Sequence, residues 1–136
     1  MDRKVELIRR APLFSQCSRR ELAAVAAIAD EVDVPAGKEL MREGERGLEF
    51  FVLVEGGVEV VKHGEAINAL GPGDFFGEIA LLAHSPRTAT VRTTSPSRLL
   101  VVTAASFGSL LERAPEIQLK VLRALAERLA PQMGDR

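Results

Sequence analysis

The hydrophobic rhythm of the chain changes twice. Over residues 1–30 apolar positions recur at helical spacing, with Leu22, Val25, Ala26 and Ala29 on one face. Ser18 followed by Glu21 forms a capping-box pattern, which predicts an N-cap at Ser18 and a carboxylate reaching back to it. Leu13 and Phe14, just ahead of the cap, read as apolar anchors. From residue 31 the pattern alternates. Val32 and Val34 are interleaved with Glu31 and Asp33, which is strand behaviour. Further strand-like runs follow at 38–42, 50–55, 58–62, 66–70, 88–94 and 98–103. Between them stand turn signals such as Pro35-Ala36-Gly37, Gly44-Glu45, Gly56-Gly57, His63-Gly64 and Gly71-Pro72-Gly73-Asp74.

One stretch, 76–82, breaks the alternation and is long enough for one or two helical turns. The helical period then returns over 104–113 and 115–129. Pro115 and Glu116 suit the first turn of the second helix, Pro for its fixed φ and Glu for the dipole. Ile117, Val121, Leu125 and Leu129 make an apolar stripe that Leu122 and Ala126 widen. Pro131 is expected to stop this helix. Many short strands punctuated by Gly and Pro, with helices at both ends, predict an α+β chain built on a jelly-roll-like β-barrel. The expected organisation is one domain over 1–136, with a helical segment at 1–30, the barrel at 31–103 and helices at 104–130.

Composition narrows the classes of function. A chain of 136 residues with 46% hydrophobic and 27% charged residues suits one globular domain with a real core. Eighteen Lys+Arg oppose nineteen Asp+Glu, so the charge excess that phosphate binding by a free-standing DNA-binding domain needs is missing. The lone cysteine, Cys17, excludes an intrachain disulfide and a cysteine-rich metal site. No run approaches the roughly 20 apolar residues of a membrane span, and no signal-peptide pattern opens the chain. The expected location is therefore the cytoplasm.

The chemistry concentrates in 75–89. Gly77 opens the short helical stretch, and a glycine there lets backbone approach a ligand closely. The first amides of such a stretch lack helical partners and point outward with partial positive charge. Arg87 follows nine residues after Glu78, and its planar fork matches a phosphate. Thr88 adds a hydroxyl beside it. Glu78 only accepts hydrogen bonds when ionised, so it suits sugar hydroxyls. A carboxylate for a diol edge and a guanidinium for an anion describe a nucleotide pocket. The competing reading of the same two residues is a structural Glu78–Arg87 salt bridge. His63, in the turn marked by its Gly64 neighbour, and His84, in the insert, read as solvated.

The run Phe76-Gly77-Glu78-Ile79-Ala80-Leu81-Leu82, a short insert, and Pro86-Arg87-Thr88-Ala89 resembles the phosphate-binding cassette of cyclic nucleotide-binding domains. That family includes the bacterial catabolite activator protein, protein kinase A regulatory subunits and cyclic nucleotide-gated channels. The turns at 35–37, Gly44, Gly56 and 71–74 match its usual turn positions, and the resemblance spans roughly 10–130. It implies that Glu78 accepts a hydrogen bond from the ribose 2′-hydroxyl and that Arg87 pairs with the cyclic phosphate. It also implies backbone donors at Gly77, Ile79 and Ala80, and a phosphate contact from the Thr88 hydroxyl. The helix at 115–129 resembles the family's lid or dimerisation helix, which brings Arg128 and Gln132 near a base. The ligand implied is cAMP by preference, or cGMP, with no metal.

Other functions fit less well. A metal enzyme on the same kind of barrel needs two or three His with a carboxylate, and the chain has only His63 and His84. No Ser-His-Asp or Cys-His pattern is evident, so an enzyme is not expected. Only 131–136 follow the last helix, which leaves no recognition helix for direct DNA binding within this chain. A domain that kept the fold, lost the ligand and serves protein interaction is the alternative, and retention of Glu78 and Arg87 argues against it. An unidentified effector protein and a weak homodimer through the last helix complete the expected partners, with no membrane contact.

Overall fold

The computed structural model describes residues 3–81 and 85–134. Leu82, Ala83 and His84 of the expected cassette lie outside them, as do the side chains of Leu125, Arg128, Leu129 and Gln132. Helix α1 spans Arg3–Arg9, a 3-10 turn spans Pro12–Phe14, and helix α2 spans Arg19–Ala27. The capping box forms as its sequence predicts. The Glu21 amide donates to Ser18 Oγ at 3.2 Å and the Ser18 amide to Glu21 Oε1 at 2.8 Å.

Eight strands follow among the described residues: β1 Asp30–Val34, β2 Glu39–Met41, β3 Glu49–Glu55, β4 Val58–Lys62, β5 Glu65–Leu70, β6 Phe75–Phe76, β7 Thr90–Thr93 and β8 Ser97–Thr103. They form two antiparallel four-stranded sheets, β1-β8-β3-β6 and β2-β7-β4-β5. The fold is the jelly-roll-like α+β arrangement expected. Helices α3, Ala104–Arg113, and α4, Pro115–Gly134, close the chain.

β3 is buried on both faces, because side chains alternate across a strand. Phe50, Val52 and Val54 face the helices, and pack with Phe14, Leu100, Val102, Phe107, Ile117 and Val121. Phe51 and Leu53 face the barrel interior with Val58, Phe76, Val91 and Leu99. The rings of Phe51 and Phe76 stack at 5.0 Å. Phe14 meets Phe50 at 6.0 Å and Phe107 at 5.9 Å, joining the first turn, the central strand and α3. Leu13 and Phe14 are fully buried, so they anchor the N-terminal segment as read.

The structure departs from the sequence reading in four places. Phe75–Phe76 is a two-residue strand, placed by pairing with Phe51 and Val52 of β3, and too short for any alternation to show. β7 begins at Thr90 and not at 88, because 85–87 instead lie against the 44–47 loop. α4 continues through Pro131 to Gly134. A proline near a helix end removes only one backbone bond, and its fixed φ is compatible with helix. Finally, Leu122 is 48% exposed and Ala126 is exposed, so neither widens the buried stripe. Among the described side chains of α4, Ile117, Val121 and Ala124 are buried in the core.

α4 lies on the N-terminal helical segment. It packs against the Pro12–Phe14 turn and α3. Lys120 Nζ meets Glu21 Oε1 at 2.5 Å, and Gln16 donates to Glu127 Oε1 at 2.7 Å. The Lys120 ammonium is the main cause that holds the Glu21 carboxyl below its ordinary value, with the Ser18 amide next.

Candidate functional site

Strand β6 carries the chain from the Phe51–Phe76 stack directly into Gly77. Gly77 sits at φ +80°, a conformation that side chains rarely adopt. A Cβ here would also lie 2.9 Å from the Glu49 carbonyl and 2.8 Å from Arg87 Nη1. The 3-10 turn Glu78–Leu81 follows at once. The Ala80 amide donates to the Gly77 carbonyl at 3.1 Å, so this donor has a partner within the turn. An incoming anion would share it, as three-centre bonds at helix ends commonly allow.

Arg87 is held first through its backbone. Its amide donates to the Glu45 carbonyl at 2.7 Å, and its carbonyl accepts from the Gly44 amide at 2.9 Å. The Gly47 amide donates to the Ser85 carbonyl at 3.3 Å, and Arg46 and Pro86 pair as an isolated bridge. The 44–47 loop thus runs antiparallel to 85–87 and fixes the root of the side chain. The guanidinium then donates from Nη2 to the Glu49 carbonyl at 2.8 Å and from Nη1 to the Gly77 carbonyl at 3.4 Å. Among the described residues no carboxylate pairs with it within ion-pair distance, and its hydrogen-bond partners are carbonyls. Burial pushes its pKa below the usual arginine value, and the nearby Glu49 charge opposes this. A guanidinium so displaced is still a cation at neutral pH.

A cavity of about 190 Å³ opens beside this group. Its wall brings together Gly77, Glu78, Ala80, Arg87 and Thr88, five of the six residues singled out from sequence. The sixth, Ile79, lies in the same 3-10 turn. Thr88 is exposed and Glu78 half-buried. No described residue of α4 lines this cavity.

Sequence reasoning missed Met41 and the 44–49 loop that positions Arg87; Ser85 and Pro86, inside the 75–89 stretch but given no role there, complete the wall. The only sequence signal for the loop is the pair Gly44 and Gly47, placed just before β3. The other candidates fall away from the cavity. His63 is 79% exposed in the β4–β5 turn, 3.3 Å from Glu43 Oε2. Cys17 is half-buried, and burial first, then the Glu21 charge, raises its thiol to about 11. Among the described residues no group of His, Cys, Asp and Glu is placed to hold a metal ion. Nor is any described helix long and apolar enough to cross a membrane.

Comparison with known proteins points to one family. The model of the Cyclic nucleotide-binding domain matches residues 31–114. A cAMP-dependent protein kinase regulatory subunit of Mycosarcoma maydis is 40% identical over 126 residues, covering 88% of this chain and 23% of the relative. A cyclic nucleotide-gated potassium channel of Rhizobium etli is 35% identical, covering 93% of this chain and 35% of the channel. The chain therefore spans about a quarter to a third of the length of these curated relatives. Among solved structures, the N-terminal domain of a Streptomyces coelicolor transcriptional regulator superposes with a TM-score of 0.86 at 30% identity, covering 93% of this chain and 94% of that one. The regulatory domain of Toxoplasma gondii PKA, solved with cAMP, gives 0.72 at 31% identity, covering 79% of this chain and 42% of that one. The family model lies over the barrel, the cassette and α3, and on that match the chain belongs to the cyclic nucleotide-binding domain family.

Proposed function

We propose that this chain is a cyclic nucleotide sensor with cAMP as its ligand, the cyclic phosphate held by Arg87 and the ribose 2′-hydroxyl by Glu78. The observation that carries this reading is the seating of Arg87. A half-buried guanidinium bonded to neutral carbonyls keeps a full positive charge beside a cavity, and burying such a charge is costly until an anion meets it. The Thr88 hydroxyl and the Gly77, Ile79 and Ala80 backbone then surround the phosphate, and the Glu78 carboxylate takes the sugar edge. The preference for cAMP is supported by the M. maydis relative, named as cAMP-dependent, and by the T. gondii domain solved with cAMP.

In this reading the chain is a regulatory module in the cytoplasm and not a catalyst. It requires no metal, DNA or membrane as partner, and it acts on an effector through α4. Titration calorimetry with cAMP, cGMP and AMP tests it. Binding of cAMP ahead of cGMP, and of both ahead of AMP, is the expected order. AMP binding as tightly as cAMP would show that the site does not select a cyclic phosphate.

A further inference from the structure

The 44–49 loop contains two glycines with different reasons to be glycine. Gly44 sits at φ +87° with open space around its missing side chain, so its backbone conformation is the reason. Gly47 is the opposite case. Its φ is outside the left-handed region, so positive φ is not its reason to be glycine. Yet it is buried, and a Cβ there would lie 2.7 Å from Arg87 Cζ and 2.8 Å from Nε and from Nη1. All three nearest atoms belong to the guanidinium group. The space left by the missing side chain is the space the guanidinium occupies.

We propose that Gly47 is a positioning residue for the ligand anion. Its bare backbone is the flat wall against which the Arg87 guanidinium lies, with the Glu49 and Gly77 carbonyls fixing it in that plane. This deepens the functional reading above and rests on Arg87 holding the cyclic phosphate. The guanidinium has five N–H donors in a rigid fork. Two are engaged by the carbonyls, and the wall decides which way the remaining donors point. One methyl group at position 47 would push the fork off the wall, disturb the long 3.4 Å bond to Gly77, and tilt the free donors away from the phosphate. The contacts a methyl group would meet are the far end of a flexible side chain, so the fold can absorb the change while the ligand geometry cannot.

The experiment compares four proteins: wild type, Gly47→Ala, Arg87→Lys, and the double variant. Each is titrated with cAMP and melted without nucleotide. Arg87→Lys keeps the charge, and with it measurable affinity, but has no fork to misdirect. Gly47→Ala is expected to weaken cAMP binding about tenfold or more in the wild-type background, the scale of one charge-assisted hydrogen bond lost or bent. In the Arg87→Lys background it is expected to change affinity by less than about twofold, since contacting residues are non-additive. Equal losses in both backgrounds would overturn the proposal, as would wild-type affinity in Gly47→Ala. If Gly47→Ala fails to fold, recovery of folding in the double variant supports it, and failure there overturns it. Should Arg87→Lys bind as wild type does, the fork reading of Arg87 fails by itself, whatever Gly47→Ala does.

Discussion

In the proposed reading Arg87 dominates ligand binding, because it combines charge, partial burial and hydrogen bonds to carbonyls. Replacing it with Ala removes the group that an anion would meet, and is expected to weaken cyclic nucleotide binding by about 2–5 kcal/mol. Glu78 is tested by chemistry on the ligand side. The 2′-deoxy analogue of cAMP is expected to bind worse than cAMP to wild type, and Glu78→Gln to narrow that gap; equal affinity of the two ligands for wild type would remove the ribose role. Cys17 gives a prediction away from the site. With its thiol raised to about 11, the thiolate fraction at pH 8 is on the order of 10⁻³, so alkylation by iodoacetamide is expected to be slow until the protein unfolds. Five of the six residues singled out from sequence line one cavity, and the sequence marks them because each is chemically distinctive or sits in one contiguous stretch. Gly47 and the Glu49 carbonyl are not marked, since a small residue at ordinary φ and a backbone oxygen carry no sign of what they touch. Only the fold, by laying 44–47 against 85–87, brings them to Arg87.

The elements divide by how locally they are specified. α2 starts where the capping box places it, because Ser18 and Glu21 satisfy each other's amides within one turn. β3 is set by its continuous apolar run, Phe50 to Val54, which fits a strand covered on both faces. Leu53→Ala removes a fully buried side chain from the barrel interior and is expected to cost about 2–5 kcal/mol in denaturant unfolding, with cassette geometry lost alongside stability. A loss under about 1 kcal/mol would mean that the barrel does not depend on that packing. β6 and the end of α4 escaped a sequence reading for opposite reasons. Two residues are too few for a period, and Pro131 carries a stop signal that a helix near its end tolerates. The α2–α4 contact predicts a pH response. The folded Glu21 carboxyl is held below the ordinary 4.5, so its contribution is present above that value and is lost as pH falls through the lower folded value. The stability gap between wild type and Glu21→Gln is therefore expected to shrink on acidification below about pH 4.5. A gap that holds constant down to pH 2 would argue against the pair.

At the scale of the molecule, two cores share β3. One joins the strand to the helices, and the other fills the barrel behind the cassette. α3 touches the Glu78–Leu81 turn, and α4 follows α3 after Ala114 alone, so the cassette and the last helix are connected through packed structure. In this structure α4 is docked on the N-terminal segment, held by Ile117, Val121 and the Lys120–Glu21 pair. For α4 to report ligand it must favour a different position when the pocket is filled, which a ligand can drive only by binding that state better. Hydrogen exchange is expected to slow across 76–88 and 115–130 together on adding cAMP, while the amides of 16–21 speed up as α4 leaves them. Protection confined to 76–88 would make α4 a fixed element. Each of these responses depends on the proposed anchoring of a cyclic phosphate by Arg87. Calorimetric titration of cAMP into wild type and Arg87→Ala, side by side and at one salt concentration, tests it most directly. Saturable binding by wild type and a loss of about thirtyfold or more in the variant are expected, about 2 kcal/mol converted to affinity. Equal affinity in the two proteins would contradict the anchoring.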